Sequence, residues 1–232
     1  ICGWAAALEC RNIIFTSSIA PYGEAELIKD ESAIPVPITP YGGSKLAAEK
    51  IHIGWQKSNG HNKLTIVRPG VVFGPGEGGN VSRLIKAVVG GYFVYTGNAH
   101  TRKAGIYVKE LVRAIMWVHL NSQMNNSQHA LVNMTMPLAP SMKDYVDAIS
   151  AVSGRKRRFL NVPFWFLYPL SFCVAFVAAI LRLNQPVNPV RIKKLVKSNY
   201  IDPKFLRESG YVYEFDLKMA LQDWKLNRPS EW

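Results

Sequence analysis

The sequence predicts an α/β fold, a doubly wound parallel sheet that is incomplete on its amino-terminal side. Three observations carry this. Short apolar runs alternate with longer segments of helical period, as consecutive strand–helix–strand units require. Two of the runs break at their carboxyl ends into Ser, Gly and Pro, where open α/β sheets gather their ligands. Ahead of the first run stands only Ile1–Cys10, which has the composition of a helix tail.

The elements follow in order. Asn12–Thr16 is expected as a buried strand running into Ser17 and Ser18. The loop to Thr39 holds Asp30-Glu31 and Pro35-Val-Pro37 and suits the cover of a cleft. Pro40 fits the first turn of a helix capped by Thr39, which should reach about Ser58. Leu64–Val67 is the next strand, and it breaks into a loop rich in Gly and Pro. Asn80 is expected to cap a helix through Val89, with Gly90-Gly91 ending it, and Phe93–Thr96 to form a short strand. Val108, Leu111, Val112, Ile115 and Val118 line one face of a helix over 108–120. His129–Met134 is a strand, and Ser141 caps a further helix to Val152 with Asp144 three residues on. From about Arg155 the composition changes.

Composition narrows the class. A chain of 232 residues with 48% apolar residues can bury a sizeable core, in one large domain or a domain and a half. Cys2, Cys10 and Cys173 have neither disulfide nor zinc spacing, so a reducing cytoplasm is expected. The five histidines are scattered without ligand spacing, and no metal is expected. The net charge of +12 calls for an anionic partner. Nucleic acid is set aside, because no helix-turn-helix, zinc-finger or aromatic RNA-binding signature accompanies the charge. Phosphorylated substrates and an anionic membrane surface remain.

Tyr41-Gly-Gly-Ser-Lys45 carries the chemistry. Residues four apart share a helix face, and an ammonium there favours the phenolate, so the pair is expected to act as a base. Ser18 should lie nearby, at the carboxyl end of its strand. A dinucleotide-binding half opens with a strand, a glycine-rich turn and an acidic residue about 20 positions later. Gly74–Asn80 is no substitute, since it follows a late strand and lacks the Lys-Ser/Thr ending of a phosphate loop. The expectation is a fragment lacking its amino-terminal third, which would hold that strand and glycine-rich turn.

Asn12–Gly23, Tyr41–Lys45 and Leu64–Gly76, in that order, resemble the extended short-chain dehydrogenase/reductase family, the nucleotide-sugar epimerases and dehydratases. The resemblance implies a Rossmann-type sheet with a smaller mixed α/β substrate domain: 1–75 in the cofactor domain, 76–232 in the substrate region, with 104–135 returning to the cofactor domain. It implies NAD as cofactor, with NADP not excluded, and a homodimer through the Tyr/Lys helix. Tyr41 would be the acid/base, Lys45 its tuner and a partner of the nicotinamide ribose, and Ser18 the hydrogen-bond partner of the reacting sugar hydroxyl. Ser18 has an alternative as a turn cap. Ser17, Pro69, Gly70 and Val71 would line the cofactor. Asn80 and Val81, at a helix start, would meet the substrate diphosphate. In Thr101–Val108 the family's arginine falls on Lys103, beside Arg102, and its aspartate on Ala104. A phosphate contact survives there without the two-pronged geometry of arginine. Pro21, where valine is common, is a further departure.

Ile13–Ser18, Gly79-Asn-Val, Gly90-Gly-Tyr-Phe and Val190–Lys194 are similar to bacterial family members acting on N-acetylglucosaminyl-diphospho-undecaprenol. Beside a basic cluster, Arg155–Arg158, the run Val162–Leu181 carries no charge. A helix from Pro169 to Leu183 would span about 22 Å, short of a bilayer core of about 30 Å. An interfacial helix contacting an anionic membrane through 155–183 and a buried helix of the smaller domain both fit. The expected location is cytoplasmic, at the inner face of the cytoplasmic membrane if the tail meets lipid. The expected activity is C4 epimerisation of a diphosphate-linked hexose in surface polysaccharide synthesis. A reductase or dehydrogenase of the same family, including a hydroxysteroid type, and a non-catalytic membrane-associated binding module are the alternatives.

Overall fold

A computed structural model describes residues 1–124, 128–155, 157–166, 168–169 and 196–232. Most of the uncharged run, the helix expected over 169–183 and the run Val190–Lys194 lie outside the described residues. In chain order the elements begin with α1 (Cys2–Ala7), β1 (Asn12–Thr16), β2 (Ala25–Lys29), α2 (Pro40–Lys57), β3 (Lys63–Pro69) and β4 (Val71–Phe73). Next come α3 (Asn80–Gly90), β5 (Tyr95–Thr96), β6 (Gly105–Tyr107), α4 (Val108–Met124) and β7 (His129–Met134). The chain continues with α5 (Met142–Ser153), β8 (Asn161–Val162), β9 (Asn199–Ile201), α6 (Lys204–Glu208) and α7 (Leu217–Asn227). It divides into two compact units.

The first unit holds 1–74, 104–139 and 200–216. Residues 200–216, expected in the substrate region, therefore pack with the sheet. Its centre is a parallel sheet in the order β1–β3–β7. The middle strand is buried from Leu64 to Pro69, because a parallel strand between two neighbours is covered on both faces and reads as an unbroken apolar run. Val67, Val132 and Met134 pack with Leu111, Ala114 and Val118 of α4 and with the partly buried Ile115. Each such side chain stabilises by about 1.5–3 kcal/mol when fully buried. Val112, expected on the same face, is 54% exposed because the helix turns it away from the sheet.

Glu110, wholly buried on α4, fastens the 200–216 segment. It accepts from the Tyr211 hydroxyl and from the backbone N–H groups of Glu214 (3.0 Å) and Phe215 (2.7 Å). At Gly70 the chain changes partners. Its N–H donates to Met134 O at the end of β7, and the Val71 N–H donates to Ala104 O, starting the β4–β6 pair. A Cβ on Gly70 would lie 2.7 Å from Ala104 O, so only glycine passes here without displacement.

The second unit holds 75–103, 140–199 and 217–232. In it α5 packs against α3 and α7, and β5 pairs with β8 in parallel. The expected cap of α5 forms as a capping box between Ser141 and Asp144. Arg155 and Arg157 of the basic cluster donate to the carbonyls of Val89 (2.7 Å) and Gly90 (3.4 Å), satisfying the end of α3. Part of the basic cluster thus has an intramolecular role. Among the described residues no helix is long and apolar enough to cross a membrane.

Three expectations need correction. Gly79, not Asn80, is the N-cap of α3, and Asn80 is its first helical residue. The strand expected at 93–96 contracts to Tyr95–Thr96, and the helix from 108 runs on to Met124.

Candidate active site

Residues of β1, α2 and the turn after β1 meet at the carboxyl end of the sheet. α2 starts where Thr39 accepts the Gly42 N–H on its side chain (3.1 Å) and Pro40 presets the first turn. Gly42 brings the helix close to the turn. A Cβ there would stand 2.6 Å from Ala20 O and 3.2 Å from Pro37 Cβ. Tyr41 is 56% exposed, so solvent reaches it. One turn on, Lys45 Nζ donates to Thr16 O, the last residue of β1 (3.1 Å), and lies 5.9 Å from the Tyr41 ring centroid. Ser18 Oγ accepts the Ala20 N–H (3.1 Å), the turn-capping contact that was its alternative reading, and keeps its own proton to donate. Lys45, Ser18 and Gly42, the neighbour of Tyr41, are in this way tied to one short stretch, residues 16–20.

Ser17 is different. Its hydroxyl is buried and donates to Glu49 Oε1 (2.5 Å), and its N–H donates to Val67 O. That hydroxyl is committed to the interior. Pro69 ends β3, its carbonyl accepting the Ile19 N–H, while the N–H groups of Gly70 and Val71 are both engaged. Arg68, which begins this stretch, turns inward. Its Nε and Nη2 grip Glu49 of α2 in a two-pronged ion pair (2.8 and 2.6 Å). Burial would lower the affinity of the guanidinium for its proton, but Glu49 and Tyr22 outweigh it and hold Arg68 above its ordinary pKa. The guanidinium also lies 4.5 Å from the Tyr22 ring centroid, and the Tyr22 hydroxyl donates to Asn133 Oδ1 (2.9 Å).

Asn80, Val81, Arg102 and Lys103 belong to the second unit. Glu77 takes the N-terminus of α3. Its Oε2 accepts from the Ser82 N–H (2.9 Å) and hydroxyl (2.6 Å). Burial would raise its pKa, yet these bonds and those from the Gly79 and Val81 amides win and hold it below the ordinary carboxylate range. A carboxylate therefore sits where a diphosphate was expected. Asn80 Oδ1 accepts from Arg83 (3.0 Å). Lys103 donates to Lys197 O (2.7 Å), and burial brings its pKa down to about 8. Arg102 is half-buried, and its N–H donates to Ser198 Oγ (3.2 Å).

Glu49, Arg68 as a side chain, and Glu77 are what sequence reasoning missed. A signal existed for Glu49, which continues the spacing of Tyr41 and Lys45 on one face of α2, a carboxylate where the helix meets the sheet. Arg68 stood at the end of a largely apolar strand, where a buried charge demands a partner.

A sequence profile described as the NAD dependent epimerase/dehydratase family matches residues 1–132. The chain belongs to this family. It is 30% identical over 216 residues to the N-acetyl-α-D-glucosaminyl-diphospho-ditrans,octacis-undecaprenol 4-epimerase of Escherichia coli O157:H7, across 91% of this chain and 63% of that protein. The chain thus spans under two thirds of that relative's length. Among solved structures, the UDP-glucose 4-epimerase of Thermotoga maritima superposes with a TM-score of 0.70 at 19% identity, covering 99% of this chain and 67% of that one. The UDP-N-acetylglucosamine 4-epimerase of Bacillus cereus gives a TM-score of 0.70 at 17% identity, covering 96% and 67%. At these identities the likeness establishes the fold, a Rossmann-type arrangement of parallel strands and helices.

Proposed function

We propose that the protein is an NAD-dependent C4 epimerase of a hexose linked to a nucleotide or lipid diphosphate, working in surface polysaccharide synthesis. The carrying observation is the convergence at the end of β1: Lys45 on Thr16 O, Gly42 against Ala20 O, and Ser18 on the Ala20 N–H. In this reading Tyr41 takes the proton of the sugar's C4 hydroxyl and later returns it. Lys45 places its positive charge beside the phenol ring, and Ser18 donates to the same sugar oxygen and orients it. When bound, NAD would accept hydride from C4 and give it back to the opposite face, so the sugar is inverted without net redox change.

The residues present fit one end of that cofactor. Lys45 has N–H donors beyond the one given to Thr16 O, suited to ribose hydroxyls, and the exposed Tyr41 hydroxyl is open to the same space. The buried Ser17 hydroxyl and the engaged amides of Gly70 and Val71 contribute no donors, which leaves packing as the part that Pro69, Gly70 and Val71 would play. The substrate class rests on the relationship to the undecaprenol-linked sugar epimerase, together with the net charge of +12. With such a substrate the enzyme would work in the cytoplasm at the membrane face, as a homodimer.

The test is to incubate the full-length protein and NAD with UDP-N-acetylglucosamine and, separately, with the undecaprenyl-diphosphate-linked sugar, and to resolve the C4 epimers. Conversion of one of them is expected, falling about 10²–10⁴-fold in Tyr41→Phe, as for loss of a general base. Conversion of neither defeats the substrate assignment. A fully active Tyr41→Phe variant defeats the mechanism. A stoichiometric change in NADH absorbance would mark a reductase instead.

A further inference from the structure

The first turn of α2 is poorly suited to hold a reacting group still. Two of its residues are Gly42 and Gly43, and glycine in a helix carries the largest backbone entropy cost of any residue. Tyr41 is also exposed, so no packed core fixes it. Beyond the Thr39 cap and the close contact at Gly42, its position depends on what anchors the helix further along. Tyr41, Lys45 and Glu49 follow one another at intervals of four on the same helix face.

Glu49 is the strongest of these anchors. It is 2% exposed and binds two strands at once: Arg68 of β3 through both its oxygens, and Ser17, one residue beyond β1, through Oε1. Ser17 is the immediate neighbour of Ser18. The same carboxylate therefore fixes the helix that carries Tyr41 and Lys45 and the backbone that carries Ser18. Arg68 is held in turn by the Tyr22 ring, and Tyr22 by Asn133 of β7, whose N–H donates to Glu31 (2.9 Å). From Ser17 and Glu49 through Arg68 and Tyr22 to Asn133 these contacts are buried, and they end at the partly buried Glu31.

We propose that Glu49, gripped by Arg68 and Ser17, is a positioning residue that sets the height and rotation of α2, and so where Tyr41 and Lys45 stand relative to the stretch that carries Ser18. It touches no substrate and moves no proton. Its kinetic part rests on the epimerase reading above, while its structural part does not.

The experiment compares the full-length wild type with Glu49→Gln, Arg68→Lys and Ser17→Ala by steady-state kinetics and by amide hydrogen exchange. Glutamine keeps the size but loses the charge, lysine loses the two-pronged grip, and alanine removes one bond while leaving the ion pair whole. A displacement of about 1 Å at a reacting group costs on the order of 100-fold in rate. The expected result is a fall in kcat of about 10- to 100-fold for Glu49→Gln and Arg68→Lys, and less for Ser17→Ala, with KM within about twofold. Exchange at residues 43–49 should quicken while β3 and β7 stay protected. The proposal is overturned if kcat stays at the wild-type value, or if the sheet and α2 lose protection together, which a merely structural ion pair would produce. Should Glu49→Gln fail to fold, Ser17→Ala still decides the matter by the same two readouts. A wild type without epimerase activity would refute the functional reading, and the exchange pattern would still judge the anchoring.

Discussion

Gly70→Ala adds one methyl group where β3 hands the chain over to β4. The new Cβ would lie 2.7 Å from Ala104 O, 2.9 Å from Ala104 C and 3.1 Å from Thr135 Cγ2. Ordinary carbon contacts are about 3.5–4.0 Å, so the backbone of residue 104 must retreat. That retreat pulls on the bond from the Val71 N–H to Ala104 O (2.9 Å), the first link of the β4–β6 pair. Overpacking of this kind costs about 1–3 kcal/mol and a lost hydrogen bond about 1 kcal/mol, giving about 2–4 kcal/mol together. With a urea dependence of about 2 kcal/mol per molar, the unfolding midpoint should fall by about 1–2 M. The assay is urea denaturation followed by tryptophan fluorescence and circular dichroism. A midpoint within about 0.3 M of the wild type, an error-sized change on this scale, would refute the packing argument. Loss of cofactor affinity at an unchanged midpoint would assign the glycine to cofactor approach instead.

Three other perturbations follow from the geometry. Lys103 titrates at about 8 in the folded chain against 10.5 ordinarily, so the unfolded chain binds more protons between these values and stability should rise with pH through that window. Thermal scans of Lys103→Met should lack the rise. Glu77 has a depressed pKa, so its contribution is present above 4.5 and is lost as pH falls further through the folded value. Acid titration of Glu77→Gln, followed by hydrogen exchange in α3, should show a weaker dependence in that range than the wild type. Glu110→Ala strips the acceptor from the Tyr211 hydroxyl and two backbone amides, and should cost about 3–5 kcal/mol in equilibrium unfolding, with early exchange in residues 211–216.

Much of the architecture was legible because its signals are local. Thr39-Pro40 marks the start of α2, Ser141 and Asp144 form their box, and the β-branched, mostly apolar run at Leu64–Val67 announces a covered parallel strand. β2 was not legible, since Ala-Glu-Leu-Ile-Lys mixes charge with exposed apolar residues and gains its strand geometry by pairing with β9, far along the chain. β4 and β6 are three residues each, too short for periodicity to register. At the candidate site, the approach of Lys45 to the end of β1 followed from its place on α2, and the position of Ser18 from the end of its strand. The grip of Arg68 and Ser17 on Glu49 could not be read in the same way, because its partners lie 19 and 32 residues away. Asn80 misled because Asn is a preferred N-cap, but here the flanking Glu77 reaches the amides first.

The central claim is that Tyr41 works on a C4 hydroxyl while the hydrogen on the same carbon departs and returns without meeting solvent. It is tested most directly with the full-length protein and a substrate sugar carrying deuterium at C4, followed by mass spectrometry and NMR of the separated epimers. The account predicts that the inverted sugar keeps its deuterium at C4 even in ordinary water. Replacement of that deuterium by solvent hydrogen would contradict it.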